Sequence, residues 1–324
     1  ANMAADAGGS PASGRSRSPA RRTPRRKGSE EEASALVRQL KALLLGLERR
    51  PDRRARCEAM LQAEVPWLDV EFFPATDGKD ESQPISDDVV ARSWNTKRNA
   101  MYGDYEDIFE KDGKTLIHSK ADFEDPGVEY LFSPGERGCA HSHFGMWQRA
   151  ACSEHPTLIL EDDVDLRFQR GDGRGHSNGK LFTARLELAM QEATNRGADV
   201  LYLGWAGFRD GNYKFHKTGR GRRNPILRKA EYVWTTVAYV IWPQGAKKLL
   251  NAASPIDQPV DNFMAWECRE GRLQSFVVLD EGDAGAWDGG IVRQVDFVGD
   301  SDIKKSDGGV QDDDPAFYLA ARKQ

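Results

Sequence analysis

Cysteine is scarce in this chain, with four in 324 residues, at Cys57, Cys139, Cys152 and Cys268. They form no C-x-x-C pair and no zinc-ligand rhythm, which excludes a disulfide-stapled scaffold and a structural zinc fold. Thiols so far apart read as buried or idle, with one disulfide left open for an oxidising compartment. No run approaches the ~20 apolar residues of a membrane span, no apolar signal-peptide core is visible near the start, and no internal repeat is evident. Excess positive charge is also missing from the body. The first 28 residues hold seven basic side chains against Asp6, a net +6, while the whole chain carries −5, so the remainder carries −11. That balance argues against a nucleic-acid grip by the folded part.

What is present is a chain long enough for one large α/β domain or two small ones. Residues 1–32 are rich in Ala, Gly, Ser, Pro and Arg and read as a disordered basic tail. The composition also fits a transit-peptide remnant or a weak RNA-binding patch. From 33 to 305 we expect one domain, and from 306 to 324 a loose polar tail. A first strand is expected in the second half of Leu40–Leu47, and a helix from Pro51 to about Gln62. A short strand follows at Val70–Phe73, then a turn at Asp77–Gly78. Residues 79–133 read as an irregular insertion with short helices, and Pro134 to about Ser153 as a strong helix. Further strands are expected at Thr157–Leu160, Val200–Gly204, within Trp234–Trp242 and at Phe276–Leu279. Helices are expected at Leu181–Asn195, Gln244–Ala253 and Val260–Cys268, and flexible loops at 169–180 and 209–224. Alternating strands and helices predict an open α/β sheet, whose ligands bind beyond the carboxyl ends of the strands.

One such end carries an unusual charge density. Thr157–Leu160 runs into Glu161-Asp162-Asp163-Val164-Asp165, four carboxylates in five residues. Packing does not account for them, because burying unpaired charge is costly. Mg²⁺ and Mn²⁺ prefer such hard oxygen ligands and complete their shells with substrate phosphates. A metal-bridged anionic substrate is therefore expected, with Asp163-x-Asp165 or Glu161-x-Asp163 as the D-x-D pair. The alternative is a solvated acidic loop.

The run resembles the L-E-D-D-V segment of glycosyltransferase family 25, the lipooligosaccharide and procollagen galactosyltransferase type. Leu44–Arg54 is similar to that family's opening segment, Phe73–Gly78 to its F-x-A-x-D-G and Ser133–His143 to its S-x-G-E-x-G-C-x-x-S-H. Tyr239–Ile241, Gly245–Leu250, Pro255–Asp257 and Val260–Asp261 match later segments in order. The resemblance implies a GT-A type fold, an open mixed sheet flanked by helices. It also implies transfer of a hexose, mostly galactose, from a UDP-sugar, with a Mn²⁺ or Mg²⁺ ion and inversion at the anomeric carbon. The acceptor would be a hydroxyl of a glycan, a lipid-linked sugar or a protein. Eukaryotic members work in the secretory pathway; a cytoplasmic location is the alternative. Two departures stand out. Gly46 occupies a place where the family often has Asn, and Ile291–Gln294 lacks an expected His. The second departure motivates the alternative of an inactive member serving as a binding or adhesion module.

The candidate site follows. Asp163 and Asp165 are the expected metal ligands. Leu47, Arg49, Arg50 and Arg53, at the first strand end and the following helix start, suit a diphosphate. Asp77, Gly138, Ser142, His143, Glu161 and Asp162 join them as donor-binding residues, and Trp205 as a stacking platform for the sugar. Asp261, with Asp257 and Glu267 as alternatives, is the expected general base on the acceptor hydroxyl. The basic loop Lys214–Arg223 is a candidate lid.

Overall fold

The computed structural model describes residues 36–95, 97, 110–111, 114–115, 129–166, 178–207, 226–230, 232–280 and 288–295. The main elements, in chain order, are β1 (Lys41–Gly46), α1 (Pro51–Glu64), β2 (Asp69–Pro74), α2 (Pro134–Ala151), β3 (Thr157–Glu161), β4 (Val164–Leu166), α3 (Asn178–Asn195), β5 (Val200–Tyr202), β6 (Leu227–Lys229), β7 (Ala238–Ile241), α4 (Pro243–Ala252), α5 (Val260–Arg269), β8 (Ser275–Val278) and β9 (Val292–Gln294).

Seven strands form one mixed sheet in the order β6-β8-β5-β7-β3-β1-β2. β1 pairs parallel with both β2 and β3, whereas β7 runs antiparallel between β3 and β5. Side-chain alternation along the strands divides the core in two. Ala42, Leu44, Leu158, Leu160 and Val240 point to the layer holding Phe182, Leu186 and Met190 of α3. Leu43, Leu45, Ile159, Tyr239 and Ile241 point to the layer holding Met146, Trp147, Leu249 and Phe263. Both faces of the sheet are thus covered, as an open α/β sheet requires.

The expected strands and helices appear with shifted ends. β1 takes the whole of Lys41–Gly46, and α3 starts at Asn178, inside the stretch expected as loop. The described part of residues 79–133 contains no α-helix. Instead Ser93–Asn95 pairs antiparallel with Glu129–Leu131. The expected tails and the 209–224 loop lie outside the described residues. No helix among the described residues is long and apolar enough to cross a membrane. All four cysteines are free. Burial pushes the thiols of Cys57 and Cys268 up to about 12 and about 11, so both stay protonated as small apolar side chains.

Candidate active site

The carboxyl ends of β1, β2 and β3 lie side by side, because these strands are parallel and in register: Leu45 stands opposite both Phe73 and Glu161. The acidic run therefore emerges next to the turn that follows β1. Gly46 lets it come close, since a Cβ there would lie 3.0 Å from Asp162 Oδ2. The place where an Asn was expected is thus filled by the Asp162 carboxylate.

Helix α1 clamps the run. Arg53 Nη2 sits 2.9 Å from Asp162 Oδ1 and 3.2 Å from Asp163 Oδ2. One turn on, Arg56 Nη2 donates to the carbonyls of Asp162 and Val164. Arg49 pairs with Asp77 at 2.6 Å and Arg50 with Asp52 at 3.1 Å. All three arginines expected at a diphosphate are engaged with carboxylates, because in so acidic a body the nearest cations relieve the carboxylate repulsion. Leu47 forms the tight turn between β1 and α1, its carbonyl accepting from Arg50 N.

Strand β9 closes the other side. It pairs antiparallel with β4, so the segment lacking its expected His lands on the acidic run. Gln294 Nε2 donates to Asp163 Oδ2 at 2.8 Å, and Arg293 Nη2 lies 2.9 Å from Asp165 Oδ2. Asp163 Oδ1 remains buried without a hydrogen-bond partner. Burial, reinforced by the nearby Glu161 charge, pushes the Asp163 carboxyl up to about 7. An orphaned carboxylate oxygen in that setting fits a divalent cation. Among the described residues no group of three His, Cys, Asp or Glu side chains is arranged to hold one. The fit is accordingly to an ion held by one or two carboxylates and completed by substrate phosphates.

Helix α2 supplies the third wall. Ser133 and Glu136 form a reciprocal capping box and Pro134 opens the first turn, which fixes where the helix begins. Ser142 Oγ accepts from Thr76 N and donates to Gly138 O. A Cβ on Gly138 would meet Thr76 O at 2.5 Å and Gly78 N at 2.7 Å. Gly138 and Ser142 were expected at the donor, but here they dock α2 on the loop after β2. His143 does reach the acidic run. It is fully buried, with Nε2 3.4 Å from Glu161 Oε1 and Nδ1 2.9 Å from Tyr239 Oη.

Burial would raise the Glu161 carboxyl, but His143, Thr236 and Arg53 together outweigh it and hold Glu161 below its ordinary value. Thr236 follows Thr235, whose φ of 91° is strained for a β-branched residue. That strain sits where the chain wraps the end of β3, with Glu161 N donating to Val237 O.

Asp261 lies in the first turn of α5, accepting from Asn262 N at 2.8 Å. Burial raises its carboxyl, partly offset by the Asn262 N–H, and the Glu161 charge raises it further. The Cys139 thiol is pushed well up, first by burial and then by the charges of Glu161 and Asp261. Asp257 lies in the loop before α5, which Gln258 ties to Asn95 O. Glu267 is taken up by a two-pronged pair with Arg272 at 2.6 and 2.8 Å. Trp205 is core rather than platform. It is buried, its indole donates to Val278 O, and Arg228 covers the ring at 4.4 Å.

Tyr239, Thr236 and Gln294 were not expected at the site. Tyr239 had a sequence signal, since it lies in a short apolar strand and His143 and Trp147, the residues it joins, are four apart on one helix face; the segment of Gln294 had been singled out only for its missing His.

Comparison with known proteins bears on the family. The profile of glycosyltransferase family 25 (LPS biosynthesis protein) matches residues 39–264. A glycosyltransferase 25 family member of Anopheles gambiae is 29% identical over 225 residues, covering 68% of this chain and 30% of that protein. Procollagen galactosyltransferase 2 of Mus musculus is 26% identical over 227 residues, covering 68% and 29%. The inactive glycosyltransferase 25 family member 3 of Homo sapiens is 34% identical over 147 residues, covering 44% and 22%. The chain thus spans less than a third of the length of these relatives. With its α/β fold and the ordered motifs converging on one sheet edge, the chain belongs to glycosyltransferase family 25.

Proposed function

We propose that the chain transfers a hexose, of which galactose is the first candidate, from a UDP-sugar to an acceptor hydroxyl of a glycan or protein. The observation that carries this reading is the orphaned, buried Asp163 oxygen among the carboxylates at the strand ends. A Mn²⁺ or Mg²⁺ ion there would be held by Asp163, with Asp165 joining on exchange from Arg293, and would supply charge to stabilise the leaving diphosphate. Arg53, beside Asp163, is the nearest guanidinium to share that charge. Glu161, held ionised, accepts hydrogen bonds from donor hydroxyls. Asp261, whose carboxyl is raised by burial, takes the acceptor proton in an inverting displacement.

UDP release from UDP-galactose is the test. It should require Mn²⁺ and vanish in the Asp163→Ala, Asp165→Ala double variant. Release that ignores both metal and variant would defeat the reading.

A second reading has its own support: Gln294 and Arg293 engage Asp163 and Asp165 where a His was expected, and one relative is named inactive. In that case the site binds a nucleotide sugar or glycan without turnover. UDP binding with no release across a panel of nucleotide sugars would select it.

A further inference from the structure

Three buried side chains form a chain of polar contacts behind Glu161. Trp147 Nε1 donates to Tyr239 Oη at 2.9 Å, and Tyr239 Oη lies 2.9 Å from His143 Nδ1. His143 Nε2 faces Glu161 Oε1 at 3.4 Å, and neither of those two atoms has a hydrogen-bond partner within normal geometry. Trp147, Tyr239 and His143 are fully buried, so water does not supply partners.

The donor inventory of these groups decides the proton positions. Indole N–H only donates, so Tyr239 Oη accepts from Trp147. The one hydroxyl proton of Tyr239 is then free to go to His143 Nδ1. With Nδ1 accepting, the neutral ring carries its proton on Nε2, pointing at the Glu161 carboxylate. The opposite tautomer leaves the tyrosine proton without an acceptor and sets a nitrogen lone pair against a carboxylate, two unfavourable contacts in a site without water.

We propose that Tyr239 and Trp147 are positioning residues that lock His143 as the Nε2–H tautomer, which holds the Glu161 carboxylate in place for a donor. This rests on the reading of the pocket as a donor site. Glu161 gets one anchor from His143 and a second from Thr236, and its side chain keeps 19% exposure through which it reaches a ligand. The 3.4 Å contact is longer than a good N–H···O bond and is expected to shorten when a donor hydroxyl orders the carboxylate.

The test has two arms. Long-range ¹⁵N–¹H NMR of the free protein, with His143 assigned by its loss in His143→Gln, should show the Nε2–H tautomer. Tyr239→Phe, which keeps the ring and removes the hydroxyl, should abolish that single state, and Trp147→Phe should blur it into a mixture. An Nδ1–H tautomer in the wild type, or no change in a Tyr239→Phe protein that melts like the wild type, overturns the proposal. In the second arm, calorimetry of the full chain should show Tyr239→Phe weakening UDP-galactose on the order of tenfold. Unchanged UDP-galactose binding in a Tyr239→Phe protein that melts like the wild type contradicts the positioning role. Failure of the wild type to bind UDP at all defeats the donor reading itself, with the NMR arm still reporting on the relay.

Discussion

The acidic turn after β3 and the first half of α2 are both dense in recognisable motif residues, yet they do different work. In the turn, four carboxylates are gathered, Asp162 and Asp163 among them buried, and Arg53, Arg293 and Gln294 offset only part of the repulsion. In α2, the capping box, Gly138 and Ser142 fix a helix against a loop, and the polar groups satisfy each other. Motif density therefore marks two things: charge that needs a ligand, and close packing that places a wall of the site. Only His143 belongs to both.

That contrast is open to disruption. The largest stability effect is expected for Arg53→Ala, which leaves Asp162 and Asp163 without their shared guanidinium. Losing one partner of a buried ion pair costs roughly 3–5 kcal/mol, readable by urea unfolding, and Mn²⁺ should restore more stability to this variant than to the wild type. Gly138→Ala breaks the other region. Its new methyl meets Thr76 O, which must shift, so a loss of about 1–3 kcal/mol is expected, with residual turnover per folded molecule close to wild type.

The pH dependence of stability without metal gives a smaller, diagnostic signal. Asp163 titrates near 7 in the folded protein but near ~3.9 when unfolded. Between those values the folded state holds the extra proton, so this group's contribution to stability falls as pH rises from about 4 through 7. Asp163→Asn should remove that part of the slope. Smallest of all is Arg149→Ala, since the exposed Arg149–Glu71 pair contributes no more than about 1 kcal/mol; a larger loss would mean that α2 depends on β2 more than its packing indicates.

The sheet was legible because its strands are short apolar runs with clear ends, such as Thr157–Leu160 before Glu161. The acidic run was legible because four carboxylates admit few explanations. Partnerships were not. Arg49, Arg50 and Arg53 look alike in sequence, but their partners depend on which strand ends become neighbours. Trp205 carries no mark separating a core indole from a sugar platform; the register that puts its N–H on Val278 O decides it. The segment around Gln294 was noticed only for a missing His, since its contact with Asp163 spans 131 positions. Within 79–133 the described Ser93–Asn95 pairs as a strand that the sequence did not announce, because a short mixed stretch has no period and tertiary pairing decides it.

The most direct test of the central claim is calorimetric titration of UDP into the wild-type chain and into Asp163→Asn, each with and without Mn²⁺. The account predicts at least about a tenfold gain in affinity from Mn²⁺ in the wild type, or some 1.4 kcal/mol, and none in Asp163→Asn. Tight UDP binding that is indifferent to Mn²⁺, or an Asp163→Asn protein that responds to the metal like the wild type, would contradict it.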